Sequence, residues 1–527
     1  MPGVGGSRMI IYRIVAAGIG LVALSAPLYA QLVEPAPLVA EQPALTVLNQ
    51  LGAAPNDAAR LILFDRALAL LSQPTPLRGH VLCGRAAVLG QLHRDDEARL
   101  GFDQCRQLLP DEPNVLLPIA FDESHRQRPV EAAQLIIRAA KLKASALDQI
   151  DADSMATVLR QLAYAGKGDL ADTMIDALVG AGYPRDNPGV FSHYTQTAIL
   201  YRLRTGDAAT AMQLLPSVLS PHAGVAMLVD RRYASIWPAI GQWAGNDLSV
   251  QRGALLAAAR ATFETSETPE TRLAYAQALV DTGHRGEAIT LIEQWLQTDA
   301  ANKDKWVRSM AVLKQGRWLA EAGDRAEGIR RMRAAVDAPA QPESGIENIV
   351  PNLVMQLLLA QDFGGAIAML DRHPPSADTL ESPVAAGYFV ALRACALQGL
   401  GKHEQAVAQL ARLRSVYPTA KTAGDYAVAC VAPIDEQAAR WIATVRDPDT
   451  RNDALVALET ARYRAKQGLP ALTLTEQMLR RIESRADVRR SFTEFGRPLP
   501  DSYAPALDDF NVRPAATPRG PSPTPVA

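Results

Sequence analysis

Residues 384–418 read VAAGYFVALRACALQGLGKHEQAVAQLARLRSVYP, and the small residues in this stretch are regularly spaced. Counting from Ala394, a Gly stands at offset 7, an Ala at 12, a Leu at both 16 and 19, and a Pro at 24. Small residues at offsets 0 and 12 let two antiparallel helices approach each other closely. The Gly is suited to end the first helix in a left-handed conformation, and the Pro stops the second helix. The stretch therefore predicts one helical hairpin.

Other stretches repeat this spacing at a period of about 34 residues. Counting from Ala276 or from Gly316, a Gly stands at offset 7, a small residue at 12 and a large apolar residue at 16. Counting from Ala86 gives Ala, Phe, Cys and Pro at offsets 12, 16, 19 and 24. Weaker units occupy 154–180, 192–219, 351–373 and 454–482. Because apolar residues follow helical rather than alternating spacing, we expect an all-α chain.

The four clear units resemble the tetratricopeptide repeat (TPR) superfamily, with divergent repeats. They keep the small residues and the large apolar residue of that pattern, three of them also keep the glycine, and together they cover about a third of the chain. The aromatic residue that the family carries four positions before the first small residue is replaced by Leu82, Arg272, Val312 and Val390. The resemblance implies an α-solenoid of stacked antiparallel helix hairpins that coils into a TPR-like superhelix.

Composition and helical rhythm divide the chain into five segments. We expect a signal peptide or N-terminal anchor (1–30), a Pro-rich linker (31–44), the TPR-like solenoid (45–485), an irregular C-terminal cap that packs on the last hairpin (486–512) and a disordered Pro-rich tail (513–527). The solenoid is expected to be one long array, with candidate breaks at the Gly- and Pro-rich stretches 180–190 and 338–351.

The N-terminal segment has the pattern of an export signal. Arg8 and Arg13 precede the apolar run 14–30, which Pro27 interrupts near its end. A small residue, Ala30, then offers a signal-peptidase site. The alternative is an uncleaved anchor that holds the protein to the inner membrane by residues 10–30. Both interpretations predict an exported protein in the bacterial periplasm.

The overall composition excludes several classes of protein. With 48% hydrophobic residues, the chain has enough apolar material for a large core and is not wholly disordered. Lys and Arg number 54 against 56 Asp and Glu, a net charge of −2. Because there is no basic excess, we expect no nucleic-acid partner. We expect membrane contact only through the N-terminal segment, if that segment is uncleaved.

No catalytic or metal-binding motif is apparent. The eight histidines are scattered and never take H-x-x-x-H or H-E-x-x-H spacing, so no helix-borne metal site is indicated. The chain also lacks a G-x-S-x-G elbow and a Walker loop. We therefore expect a protein that is not an enzyme and that has no cofactor, no metal and no catalytic residues.

The four cysteines form two candidate pairs. Cys83 and Cys105 would lie on the two helices of one hairpin, and Cys395 and Cys430 are one repeat length apart. In an oxidising compartment either pair can form a disulfide if the side chains point at each other. The alternative is that they are small buried residues, as the family prefers Ala where Cys105 stands.

The TPR resemblance also implies where a partner binds. In that family the first helix of each hairpin lines the concave surface, which here assigns candidate groove residues: Gln277, Asp281, Arg317, Glu321, Tyr388 and Gln398. Such mixed side chains suit an extended peptide. The alternative is that a pair such as Arg317 and Glu321 is an ordinary surface ion pair on one helix.

Two functions from different classes follow. The first is a non-enzymatic periplasmic TPR-like scaffold that binds proteins or peptides in the bacterial cell envelope. The second is a periplasmic subunit of an exopolysaccharide- or cellulose-type synthesis and export machine, with polysaccharide-export components as partners. A groove dominated by aromatic residues would favour sugar, and the 6% aromatic content favours peptide.

Overall fold

The computed structural model of the chain describes residues 39–298, 305–338, 346–375, 383–418, 420–469, 471–503 and 507. The expected signal or anchor (1–30) and the expected tail (513–527) lie outside the described residues, as does most of the expected linker (31–44).

Twenty-six α-helices make up most of the described residues. Their bounds are α1 Gln42–Leu48, α2 Asp57–Leu70, α3 Pro76–Gln91, α4 Asp95–Leu108, α5 Pro113–His125, α6 Pro129–Leu142, α7 Ala152–Tyr164, α8 Gly168–Gly180, α9 Pro188–Arg204, α10 Ala208–Leu214, α11 Pro221–Val229, α12 Trp237–Ala244, α13 Ser249–Thr265, α14 Pro269–Asp281, α15 Arg285–Leu296, α16 Lys305–Glu321, α17 Arg325–Asp337, α18 Ile346–Leu359, α19 Phe363–Arg372, α20 Pro383–Gly399, α21 His403–Val416, α22 Lys421–Val431, α23 Ile434–Arg446, α24 Arg451–Lys466, α25 Leu474–Ile482 and α26 Ala486–Phe495. Apart from one isolated bridge between Asp230 and Gly496, these described ranges contain no β-structure. The predicted all-α solenoid of helical hairpins is confirmed.

Several prolines begin helices rather than break them. Pro76 and Pro188 occupy the first positions of α3 and α9, where a backbone N–H would have no intrahelical acceptor. The preceding Thr75 and Asn187 each accept a hydrogen bond from the backbone N–H three residues further on. These caps satisfy N–H groups that the helix itself leaves unpaired.

The turns between paired helices use the left-handed conformation that the spacing predicts. Gly283, Gly323 and Gly401 end their first helices with φ of 89°, 94° and 74°. In three other hairpins a larger residue takes the equivalent place: His93, Gln127 and Gln361, at φ 57°, 59° and 61°. The left-handed turn is therefore kept even where glycine is absent.

The close approach of paired helices is clearest between α16 and α17. Gly316 and Gly328 face each other, and a Cβ added to Gly328 would overlap the Gly316 carbonyl oxygen. The large residue at offset 16, Met332, is fully buried beside them. Small residues at offsets 0 and 12 thus perform the packing role that their spacing predicts.

The chain folds into two compact units. The N-terminal unit ends at Arg185 and contains α1 to α8, while the C-terminal unit begins at Asp186 and contains α9 to α26. The boundary falls within the Gly- and Pro-rich stretch 180–190. In the N-terminal unit, consecutive helices pack in pairs, with α3 on α4 and α5 on α6.

The C-terminal unit closes on itself. Successive pairs pack in chain order from α9 onward, and α24 then packs against α11. One hydrophobic core joins the two ends, with Val225 and Tyr233 on one side and Leu455 and Phe492 on the other. We call the two segments that meet here, 228–245 and 448–503, the closure seam.

Two arginines hold the two segments of the closure seam together, because each donates a hydrogen bond to a backbone carbonyl distant in the chain. Arg232 Nη1 donates to Pro448 O at 2.7 Å, and Arg497 Nε donates to Leu228 O at 2.6 Å. The Arg232 guanidinium also donates twice to the Asp230 carboxylate, through Nε at 2.9 Å and Nη2 at 2.7 Å. Because the Asp230 side chain is 0% exposed, this arginine compensates a fully buried charge.

Two segment boundaries differ from the sequence-based expectation. Helix α1 begins at Gln42, inside the expected linker, because Pro43 lies where a helix start accepts proline. The expected irregular cap contains the regular helix α26 and the buried Tyr503. This segment packs not only near the last hairpin but also at the start of the unit, where Tyr503 Oη donates to Gly245 O at 2.6 Å. No helix among the described residues is both long and apolar enough to cross a membrane.

Candidate functional site: the inner cluster of the C-terminal unit

The first helices of neighbouring hairpins present a connected row of polar side chains. On α14, Gln277 Nε2 donates to Asp281 Oδ1 at 2.8 Å. From α16, Lys314 Nζ donates to Gln277 Oε1 at 2.8 Å, across 37 residues of sequence. The row therefore continues from one hairpin to the next at roughly one repeat length.

Asp281 lies in an enclosed part of this row. Burial raises the pKa of its carboxyl group, while the Gln277 hydrogen bond and the nearby Lys314 ammonium partly oppose that rise. The same pKa also responds to His222 on α11 and to Glu321 on α16. Side chains from three helices therefore share one electrostatic environment around Asp281.

Arg317 and Glu321 stand one turn apart on α16, and a second arginine, Arg285, also lies beside Glu321. Arg317 Nη2 lies 3.6 Å from Glu321 Oε1, and Arg285 Nη2 on α15 lies 3.6 Å from Glu321 Oε2. The Arg317 side chain remains 50% exposed. Such an exposed ion pair contributes little to stability, so the Arg317 charge stays accessible to a partner.

A tyrosine pair continues the row beyond Arg317. The rings of Tyr388 on α20 and Tyr426 on α22 are 5.8 Å apart and tilted by 55°. Burial raises the pKa of Tyr426, and the positive charge of Arg317 opposes that rise. The charge of Arg317 is therefore close enough to act on Tyr426.

Gln398 is not part of this group. Its Oε1 lies 3.0 Å from Nδ1 of His403, at the turn that joins α20 to α21. The position near the C-terminal end of α20 explains this pairing, because the side chain reaches the next helix start.

Three residues that sequence analysis did not select also lie near this row, on α9, α11 and α24. His222 Nε2 on α11 lies 3.8 Å from Asp453 Oδ1 on α24, and this histidine lowers the pKa of Asp453. Burial lowers the pKa of His193 on α9, against the effect of Asp453. The Asp453 side chain is nevertheless 83% exposed, so this carboxylate faces solvent.

We call the connected group the inner cluster. Its members are His193, His222, Gln277, Asp281, Lys314, Arg317, Glu321, Tyr388, Tyr426 and Asp453. Of these, Lys314 had a sequence signal, since it follows Gln277 by about one repeat. His193, His222 and Asp453 had none, because they meet only through closure of the unit.

Both candidate cysteine pairs are joined in the structure. Cys83–Cys105 links α3 to α4 with Cα atoms 5.4 Å apart, and Cys395–Cys430 links α20 to α22 with Cα atoms 5.2 Å apart. The second bond connects the two helices that carry Tyr388 and Tyr426. It therefore constrains the helices beneath the tyrosine pair.

The inner cluster offers hydrogen-bond donors, acceptors, both signs of charge and two aromatic rings. It lacks the arrangement of a metal site: across the described ranges, no group of three or more His, Cys, Asp or Glu side chains is placed to hold a metal ion. The chemistry it presents is that of a polar binding surface.

Comparison with known proteins identifies no family and no curated relative for this sequence, since no family model and no curated protein matches it. Among solved structures 44 chains match. One of them comes from the structure of Naa15/Naa10 bound to HypK-THB; it is 11% identical, and the alignment covers 95% of this chain and 80% of that one, with a TM-score of 0.22. At this TM-score the likeness carries no inference about function.

Proposed function

We propose that the protein is a non-enzymatic, exported TPR-like scaffold that binds a protein or peptide in the bacterial cell envelope through the inner cluster. The observation that carries this proposal is the hydrogen bond between Gln277 on α14 and Lys314 on α16, which joins the first helices of neighbouring hairpins, with the exposed Arg317 one turn further along α16. Such a row can hold an extended chain by its backbone and its charged groups.

The charge pattern of the row supports a peptide rather than a simple ion. Lys314 and Arg317 are positive, and Asp281 and Glu321 interleave with them as negative groups. A peptide backbone presents both donors and acceptors, so alternating partners along the row match it. Divergent TPR repeats in an exported bacterial protein are part of this proposal.

Site-specific photocrosslinking tests the binding surface. A photoreactive amino acid is placed at Arg317 in the inner cluster and, as a matched control, at exposed Arg333 on α17. We expect a discrete, protease-sensitive crosslinked species from position 317 in envelope fractions and none from position 333. Equal crosslinking from both positions, or from neither, would contradict binding at the inner cluster.

Export is tested separately. The mass of the N-terminal peptide of the purified protein should correspond to a chain beginning at Gln31, in agreement with cleavage after Ala30. A chain beginning at Met1 and recovered from the inner membrane would support the anchor instead. A protein found in the cytoplasm would refute export altogether.

One feature favours the second function, a subunit of a polysaccharide synthesis and export machine. The Tyr388–Tyr426 pair supplies the aromatic surface that sugar rings stack on. Because only two of the ten inner-cluster residues are aromatic, we favour a peptide. Crosslinks from position 317 that resist protease and yield to a glycoside hydrolase would reverse this preference.

A further inference from the structure

We infer that the Cys395–Cys430 disulfide is a redox-sensitive switch for binding at the tyrosine end of the inner cluster. The inference rests on the proposed function, because it concerns how the same surface is regulated. The bond joins α20 to α22, the first helices of successive hairpins, and it passes over α21 between them. It therefore fixes one repeat relative to the next instead of closing a single hairpin.

The two disulfides of the protein differ in exposure. Cys83 is 4% exposed and Cys105 is 0% exposed, so their bond is enclosed by the core of one hairpin. Cys395 is also buried, but Cys430 is only partly buried. Exposed disulfides are the ones that exchange readily with thiols, whereas enclosed ones resist reduction. Cys395–Cys430 is therefore the more accessible of the two bonds to a thiol reductant.

The disulfide lies on the same helix faces as the tyrosine pair. Cys430 follows Tyr426 by four residues, about one turn of α22, and Cys395 follows Tyr388 by seven residues, about two turns of α20. The two rings are 5.8 Å apart and tilted by 55°. The bond thus sets the separation and the rotation of the two faces that carry the rings.

A contact between small residues holds the other ends of these two helices. A Cβ added to Gly387, near the start of α20, would lie 2.5 Å from Ala420 Cβ and 3.6 Å from Ala423 Cβ. Because this close approach does not involve the cysteines, α20 and α22 remain packed together there when the bond is broken. Cleavage of the bond therefore lets the C-terminal ends of the helices shift and alters the tyrosine pair without unfolding the hairpins.

Reduction by a dithiol is a balanced exchange. A thiolate of the reductant bonds to Cys430 Sγ while the disulfide bond breaks and its electron pair leaves with Cys395 Sγ. The second thiol of the reductant then displaces Cys430, so the dithiol becomes a disulfide and its two protons end on the two cysteines. Cys395 Sγ lies 3.4 Å from Tyr426 O, and only the reduced thiol has a hydrogen to donate to that carbonyl. The reduced form thus has an acceptor on the helix that carries Tyr426.

Fluorine NMR of the full-length protein tests the switch without a partner. 3-Fluorotyrosine replaces Tyr426, dithiothreitol is added stepwise, and alkylation followed by mass spectrometry reports which bond is open. We expect Cys395–Cys430 to open before Cys83–Cys105 and the fluorine signal to shift in step with it. The helical circular dichroism should stay unchanged, and reoxidation should restore the signal. The same label at Tyr164, which is 58% exposed on α7, should not respond.

The photoreactive amino acid at Arg317 tests the effect on binding. Crosslinking in envelope fractions should fall by about fivefold or more when Cys395–Cys430 is reduced, which is the lower end of typical coupling between two sites. The matched control Cys83→Ala/Cys105→Ala should keep this redox response. Cys395→Ala/Cys430→Ala should crosslink at the reduced level with and without dithiothreitol, which also shows that the reductant does not act on the partner.

Any of four results would overturn the switch. These are earlier opening of Cys83–Cys105, no fluorine shift at Tyr426 on reduction, loss of helical signal in step with reduction, or crosslinking from Arg317 that does not depend on redox state. Redox-independent crosslinking leaves the proposed function intact and removes only the switch. A reversible fluorine shift with no crosslinking in either redox state would refute binding at the inner cluster, while the coupling between the disulfide and the tyrosine pair would stand.

Discussion

Replacement of Gly328 by alanine tests the packing logic of the repeats directly. The new Cβ would overlap the Gly316 carbonyl oxygen and would lie 3.3 Å from Gly316 C and 3.4 Å from Ala320 N. All three atoms are backbone, so no side-chain rotation can relieve the overlap. Helix α17 must move away from α16, and the buried Met332 must move with it.

The magnitude follows from two opposing terms. An alanine in place of glycine inside a helix stabilises it by about 1 kcal/mol. Overpacking a tight contact costs typically about 1–3 kcal/mol, and a backbone overlap belongs at the upper end of that range. We therefore expect Gly328→Ala to lower the free energy of unfolding by about 2 kcal/mol.

A matched control isolates the overlap from the helix propensity. Gly253 lies inside α13, and a Cβ added there meets no atom within 4 Å. Gly253→Ala should therefore raise the free energy of unfolding by about 0.5–1 kcal/mol. Urea unfolding followed by circular dichroism, with hydrogen exchange of α16 and α17 as a local probe, measures both variants. A Gly328→Ala protein at least as stable as Gly253→Ala would refute the reasoning.

Three further predictions concern other parts of the chain. Replacing Cys395 and Cys430 together by alanine should cost about 3–4 kcal/mol, since their bond closes a 35-residue separation, and urea unfolding measures the loss. Burial raises the pKa of Asp122 to about 6, so the folded protein binds a proton that the unfolded chain releases, and stability should fall as the pH rises from about 4 to about 6. Asp122→Asn should abolish that fall in urea unfolding of the two proteins across this range. Arg232→Ala should cost about 3–5 kcal/mol, because it leaves the fully buried Asp230 carboxylate without its partner, and hydrogen exchange should increase at α26.

Each of these predictions has its own control. The cysteine variant should match the wild-type protein measured in reductant, and a difference would mean that the substitutions act through packing instead. A pH dependence in Asp122→Asn equal to that of the wild type would remove Asp122 as its source. Exposed Arg489 on α26 provides the comparison for Arg232, and equal losses from Arg489→Ala would contradict a special role for the buried pair.

Local features of the fold could be predicted because their causes are local. The turn glycines Gly283 and Gly323 adopt positive φ at low steric cost where the first helix of a hairpin ends, and a fixed spacing reveals them. The Gly316–Gly328 contact is also encoded within one repeat. The closure seam could not be predicted, since Asp230 and Gly496 are far apart in the chain and neither residue marks its partner.

The residues of the candidate site divide in the same way, into those that the repeat spacing predicts and those that depend on contacts between distant helices. Gln277, Asp281, Arg317, Glu321 and Tyr388 follow the repeat, and the structure brings them together. Gln398 satisfies the same pattern but pairs with the adjacent turn, because it lies at the end of its helix. His193, His222 and Asp453 depend on which distant helices meet, and no periodicity carries that information.

The packing of α11 against α24 also restricts how this protein can change through evolution. An open-ended helical array tolerates the duplication or deletion of a hairpin, since each module needs only its immediate neighbours. Here an extra module would push Leu228 away from Arg497 and disrupt the core that both termini of the array build. Diversification of the C-terminal unit must therefore proceed by substitution at a fixed number of modules, and length variation is confined to the links between them.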